Sequence, residues 1–397
     1  MTSPLPSRTV STKPGRTHLG MHLLGVCLLS ACTTAPKTAA GLGETESVEA
    51  AGAGLAVSST MALPRKVLPP LPSPVHPAPA SYAWRSDAKA LAERLADKQA
   101  LDVAWVSSVL AQAQNNDAVA KLIMPAASPT AKNWSLYRSR FIEPVRIKAG
   151  TAFWRANASA LQRAQSEFGV PMEIIVGILG VETIYGRQMG HFRVLDVLST
   201  LSLDFPKGRS DRSAFFEEEL GHFLRMCAEQ GDDPTTVLGS FAGAMGLPQF
   251  MPSSVRRYAL DYDGDGRIDL RNSAVDAIGS VAKYLAQNGW QSGMPTHYGV
   301  IAPKNETALG KLLGPDIRPT FSAAQLQQEG ALLDITGQNH PGPLALVQLF
   351  NGDAEPTYVV GTANFYAITR YNQSSYYALA VIELGKAVAR MVHTEGG

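Results

Sequence analysis

Residues 171–187, PMEIIVGILGVETIYGR, carry their apolar side chains at helical intervals, with Pro171 suited to a first helical turn and Gly186 to the position just past the end. A helix this apolar is mostly buried, so the remainder of the chain must supply its cover. Glu182 falls in the last turn, one turn after Ile178 and Leu179 and two after Ile175, so its carboxylate leaves the helix on an apolar face. Desolvation disfavours the anion there, and the partial negative charge at a helix C-terminus disfavours it again. A carboxyl group held neutral near about pH 7 is what a general acid requires. The competing reading is that Glu182 pairs with Arg187 or caps a neighbouring element.

The cover comes from a chain of 397 residues with a formal net charge of +1, 45% hydrophobic and 17% charged residues. That balance excludes disorder throughout, and with no polybasic run it argues against a nucleic-acid partner. Arg8, Lys13 and Arg16 precede an apolar run over 19–29 that has signal-peptide length and is too short to span a bilayer. It ends Leu29-Ser30-Ala31-Cys32, the pattern of a bacterial lipobox, in which Cys32 is acylated and heads the mature chain. The alternatives are a simple cleaved signal or an uncleaved anchor. Thr33, where an aspartate would favour the inner membrane, points to a periplasmic protein held at the inner face of the outer membrane of a Gram-negative bacterium. With 1–31 removed and Cys32 lipidated, Cys227 is the one cysteine left, so no intramolecular disulfide is expected. It follows Phe223 and Leu224 on an apolar helix face, a core position. Residues 32–81, rich in Ala and Pro, read as a semi-extended tether.

Helical periodicity runs over 86–96, 103–113, from about 150 to 168, 194–203, 213–229 and 277–288, giving a helical region over 82–290. Between the second and third of these, NWSLYRSRFIEP mixes Tyr137 and other aromatics with arginines, which suits either the wall of a polar cleft or ordinary packing. In SFAGAMGLPQFMPSS, from Ser240, the glycines and prolines interrupt any long helix; a tight turn would let Gln249 and Phe250 project into a groove, with a helix-turn-helix as the alternative.

In DYDGDGRID, Asp261, Asp263 and Asp265 alternate, with Gly266 sixth, as an EF-hand loop begins. The twelfth position holds Asn272 rather than glutamate, so Asp276 would have to close a longer loop over 261–276; an acidic turn without metal is the other reading. Residues 291–361 break into short runs separated by Gly, Pro and Asn and read as a small β-containing insertion, and 362–397 as a C-terminal helix returning to the core.

The order and spacing of GVETIYGR, SFAGAMGLPQFMPSS, YDGDGRIDL, VDAIGSVAKYLAQNGW and NFYAITRYNQSSYYALAV resemble the lytic murein transglycosylase B family over about residues 133–389. The resemblance implies a mainly α (α+β) fold: a lysozyme-like helical core, flanking helices, a calcium loop and a small inserted β domain. It also implies cleavage of the bond between N-acetylmuramic acid and N-acetylglucosamine in peptidoglycan glycan strands, leaving a 1,6-anhydro end.

By that resemblance Glu182 is the catalytic acid, Ser240 lies near the sugar N-acetyl group, and Tyr137, Gln249, Phe250, Tyr371, Asn372 and Tyr377 bind substrate. Asp261, Asp263, Asp265, the carbonyl of Arg267 and Asp276 hold a structural calcium, and the chemistry needs no cofactor. Three positions depart from the pattern: Gln373 replaces an expected histidine, Leu247 an aromatic, and the calcium loop is longer before Asp276. Glycosidases ordinarily use two carboxyl groups, but these motifs offer no second acid, which leaves Glu182 to act as both acid and base. A hydrolytic muramidase, or an inactive peptidoglycan-binding lipoprotein, would share the same motifs.

Overall fold

A computed structural model of the chain describes residues 81–124 and 132–394. The signal segment, Cys32 and the tether as far as residue 80 lie outside the described residues. Ser81, read as the end of the tether, belongs to the fold: its hydroxyl accepts from the Ala83 N–H and donates to the Ala111 carbonyl.

The first helices are α1 (Ser86–Gln99), α2 (Val103–Leu110), α3 (Asp117–Leu122), α4 (Trp134–Ser139), α5 (Pro144–Ala156) and α6 (Ala158–Phe168). Asp102, Asn116, Asn133 and Glu143 each stand at an N-cap and accept main-chain N–H groups of the first turn. The helix expected from about 150 to 168 is two helices. Asn157, at φ −122°, breaks it and turns its amide back onto the Phe153 carbonyl.

Next comes α7 (Met172–Thr183), in which every residue from Ile174 to Thr183 is buried. Pro171 is its N-cap rather than part of the first turn, and Gly186 does not set its end. The chain leaves the helix through two consecutive left-handed non-glycine residues, Ile184 at φ 50° and Tyr185 at φ 55°.

The strands β1 (Phe192–Arg193) and β2 (Leu238–Gly239) pair antiparallel, and between them lie α8 (Val194–Leu203) and α9 (Ser213–Gln230). The helices α10 (Pro252–Tyr258) and α11 (Ala274–Gln287) follow. Cys227 is a free, fully buried thiol on α9, as its apolar face implies.

Residues 291–361 hold β3 (His297–Ile301), α12 (Glu306–Leu313), α13 (Ala323–Gln328), β4 (Leu332–Leu333), α14 (Ile335–Gln338), β5 (Ala345–Asn351) and β6 (Ala354–Gly361). The strands form one antiparallel sheet in the order β4-β3-β6-β5. The sequence pattern favours strands and turns here. Three short helices are added by local capping, from Asn305, from the Ser322/Gln325 capping box and from Asp334. Alternation along β5 serves two cores: Ala345, Val347 and Leu349 join the main helical core, while Leu346 joins a second cluster with Tyr298, Leu312, Leu326 and Val360.

The C-terminal segment is also two helices, α15 (Ala363–Asn372) and α16 (Ser375–Thr394), divided at Gln373, which takes φ 41°. Helix α16 lies against α7 at backbone distance. A Cβ placed on Gly177 would stand 2.2 Å from the Val381 carbonyl oxygen, and one on Gly385 would stand 2.0 Å from that of Glu173. Only glycine permits this approach, and it brings the start of α16 to the end of α7.

Candidate active site

Glu182 is the penultimate residue of α7 and is 6% exposed. Burial pushes its carboxyl up from 4.5 to about 7, against the opposing pull of the Tyr377 hydroxyl. That hydroxyl, from the first turn of α16, donates to Oε1 of Glu182 at 2.6 Å, so the partner of the acid is Tyr377 and not Arg187. Among the described residues no second carboxyl group influences its ionisation.

An aromatic wall extends from this pair. The ring of Tyr371, near the end of α15, stacks on that of Tyr377 at 6.0 Å and 15° between planes, and its hydroxyl donates to the Pro248 carbonyl at 2.6 Å. Both phenols are held well above 10, by burial first and then by the charge of Glu182. Tyr137, on α4, lies edge-on to Tyr376 at 5.8 Å and also perturbs Tyr377 electrostatically. Tyr376 was not singled out in the sequence. Its hydroxyl accepts from the Phe350 N–H at 2.7 Å, tying the wall to β5. Asn372 follows Tyr371 as the last residue of α15 and is partly exposed.

The Ser240 segment is a bridged turn rather than a helix-turn-helix: Gly239 pairs with Met245 and Met245 with Phe250. The Ser240 hydroxyl accepts from the N–H groups of Ala242 and Ala244. The turn is fastened to the helix of the acid through Thr183, whose hydroxyl donates to the Leu247 carbonyl at 3.0 Å. Gln249 takes φ 51° and donates its amide to the Gly246 and Met189 carbonyls, which fixes it in place. Phe250 does not project into the groove. It is 2% exposed and packs beneath the wall against Tyr371, Tyr284 and Tyr258. Apolar character made it a fair candidate for either place, and the cluster of tyrosines around it, distant in sequence, decided the matter.

The acidic loop closes on itself. Carboxylate oxygens of Asp261, Asp263 and Asp276 come within 4.8 Å of one another. Asp276, 1% exposed, accepts N–H groups from Tyr262, Asp263 and Asp269 and thereby shapes the loop. Asn272, at the twelfth position, turns away to Asp269, and the extra length forms a small turn capped by that aspartate. Asp265 caps the Arg267 N–H, and the Arg267 guanidinium pairs outward with Asp232 at 2.8 Å. Three convergent carboxylates form an all-oxygen donor set that fits a hard divalent cation.

Comparison with known proteins places these features in a group. A family model described as Transglycosylase SLT domain matches residues 83–386. The chain is 40% identical over 317 residues to the membrane-bound lytic murein transglycosylase B of Escherichia coli, covering 78% of this chain and 84% of that protein. The fold is similar to the E. coli lytic transglycosylase SLT35 solved in complex with calcium, with TM-score 0.67, 39% identity and coverage of 77% of this chain and 94% of the other. It is also similar to the soluble lytic transglycosylase SltB1 of Pseudomonas aeruginosa, with TM-score 0.69, 38% identity and coverage of 78% and 100%. A more distant likeness, with TM-score 0.63 and 26% identity over 76% of this chain and 79% of the other, is to P. aeruginosa SltB3 in complex with NAG-anhNAM-pentapeptide.

Proposed function

For a chain that belongs to the Transglycosylase SLT domain family, and is a peptidoglycan lytic transglycosylase of mainly helical, lysozyme-like fold, we propose that Glu182 performs both proton transfers. The observation that carries this reading is a buried carboxyl group, pushed up to about 7 by its burial, whose one hydrogen-bond partner among the described residues is Tyr377. With Tyr377 donating to Oε1, the acidic proton resides on Oε2 and is delivered to the glycosidic oxygen. The leaving sugar departs, and the N-acetyl group of the substrate stabilises the cation at C1, since among the described residues no second carboxyl group acts on Glu182. Glu182, now an anion held by the Tyr377 hydroxyl, takes the proton of the C6 hydroxyl as that oxygen bonds to C1. The acid is regenerated and the 1,6-anhydro end is formed.

Ser240 serves the N-acetyl group: its oxygen is engaged by two N–H groups, so its own proton is free to be donated. Tyr137, Tyr371 and Tyr377 form the wall along which the sugars lie, Asn372 and Gln249 contribute polar contacts, and Phe250 supports the wall from below. Asp261, Asp263 and Asp276, with Asp265 and the Arg267 carbonyl, would hold a structural calcium that fixes the loop. Residues 82–290 with 362–397 act as the catalytic region, with 291–361 as an insertion. The lipid on Cys32 and the tether hold the enzyme at the inner face of the outer membrane, within reach of the glycan strands.

Mass spectrometry of digested sacculi tests the chemistry. Anhydro ends, lighter than reducing ends by one water, are expected; reducing ends alone would make the C6 step wrong and a hydrolytic muramidase right.

A further inference from the structure

We infer that Arg146 and Tyr185, neither of which hydrogen-bonds Glu182, are positioning residues that brace the end of α7 and so set where the carboxyl group stands. The inference rests on the reading of Glu182 as the acid.

Arg146, on α5, is 3% exposed, and its guanidinium donates to the Gly180 carbonyl, two residues before the acid. That carbonyl already accepts the Ile184 N–H, so both of its lone pairs are used. The charge is poorly compensated for its depth. Its carboxylate partner, Glu143, is 3.9 Å from Nε, the Phe141 ring lies 5.2 Å beneath it, and among the described residues Nε has no hydrogen-bond partner. A buried cation in such surroundings is costly to fold, and a well-packed apolar residue would serve stability better. What the guanidinium does in this fold is hold the Gly180 carbonyl.

Tyr185 also packs against Gly180. A Cβ on Gly150, one turn after Arg146 on α5, would meet the Tyr185 hydroxyl oxygen at 2.4 Å, and a Cβ on Gly180 would meet it at the same distance. The ring occupies a slot made by two glycines on facing helices, stacked on Phe153 at 5.2 Å and 29°. It reaches the slot through left-handed backbone conformations at both Ile184 and Tyr185, and among the described residues its buried hydroxyl has no hydrogen-bond partner. Two strained residues, an orphaned hydroxyl and an undercompensated cation thus converge on the turn that immediately follows Glu182 and Thr183. Such strain persists where the surroundings over-determine a geometry that chemistry needs. Giving a proton to the glycosidic oxygen and then taking one from the C6 hydroxyl needs the carboxyl held to a fraction of an ångström.

The test measures kcat and KM of full-length R146M, R146K, G150A and E182Q on a soluble glycan, with circular dichroism confirming the fold. R146M should lower kcat about 10-fold or more with KM within about 2-fold, and R146K, which keeps a donor for the Gly180 carbonyl, should recover most of the loss. G150A adds one methyl group on α5, touching neither acid nor sugar, and should also lower kcat at constant KM. Should R146M not fold, R146K and G150A decide. Unchanged kcat in folded R146M and G150A, or KM rising in step with the loss, overturns the brace while E182Q remains inactive. An active E182Q would instead remove the acid itself.

Discussion

The Tyr377 hydroxyl donates to Oε1 of Glu182 at 2.6 Å across 195 residues of sequence, at the point where the start of α16 meets the end of α7. Burial and this one hydrogen bond set the ionisation of the acid. Glu182 must be protonated before chemistry, so kcat should fall as pH rises through about 7.

Tyr377→Phe removes the one influence that lowers the Glu182 pKa, so the alkaline limb of the kcat profile should move to higher pH. The anion formed during the reaction also loses a donor. A hydrogen bond to a charged group is worth about 1.5–3 kcal/mol, so kcat at the optimum should drop by about 10- to 100-fold. A pH–rate profile of the variant checks both; a limb that moves down, or not at all, contradicts the assignment.

Replacing the acid should stabilise the protein. A carboxyl group whose folded pKa lies above its unfolded value favours the fold below the unfolded pKa, and that contribution is lost as pH rises from about 4.5 to about 7. Above the window the buried charge costs on the order of 3 kcal/mol, a cost that Glu182→Gln lacks. Thermal melts should therefore show E182Q more stable than the wild type at about pH 8 and level with it near about pH 4.

The glycine contact between α7 and α16 should tolerate no side chain. Gly177→Ala and Gly385→Ala each set a methyl group about 2 Å from a carbonyl oxygen of the opposite helix. Each should destabilise by about 1–3 kcal/mol or more, and each should reduce activity, because Tyr377 shifts away from Glu182. Denaturant unfolding together with turnover of the folded fraction measures the two effects.

Calcium should act on stability and leave chemistry alone. Chelator should lower the wild-type Tm, and Asp263→Asn should blunt that response. Asp276→Ala should cost more than Asp263→Asn even without the ion, since Asp276 also accepts three main-chain N–H groups. Melts with and without chelator decide, and superimposable wild-type curves would mean that the loop is simply an acidic turn.

The sequence disclosed what depends on local pattern. Glu182 on an apolar helix, the helical periodicity and the alternating aspartates were all visible because spacing along the chain encodes them. It did not disclose what depends on distant partners. Gly186 looked like the helix stop, yet the turn is made by Ile184 and Tyr185, which take left-handed conformations because Gly150 and Gly180 leave a slot for the ring. Phe250 looked exposed in a turn, and three tyrosines from α10, α11 and α15 bury it. Arg146 gave no signal, since a surface arginine and a buried one share a code letter. Asp276 was readable as a candidate closer of a longer loop, because Asn272 stands at the twelfth EF-hand position, but the three N–H groups that it gathers were not.

The proposed mechanism requires Glu182 to be the lone acid and base. The most direct test is turnover of glycan strands by E182Q alongside its affinity for the same strands. The expected result is no anhydro product above background with binding equal to the wild type. Turnover within about 10-fold of the wild type would contradict it and require another residue to carry the proton.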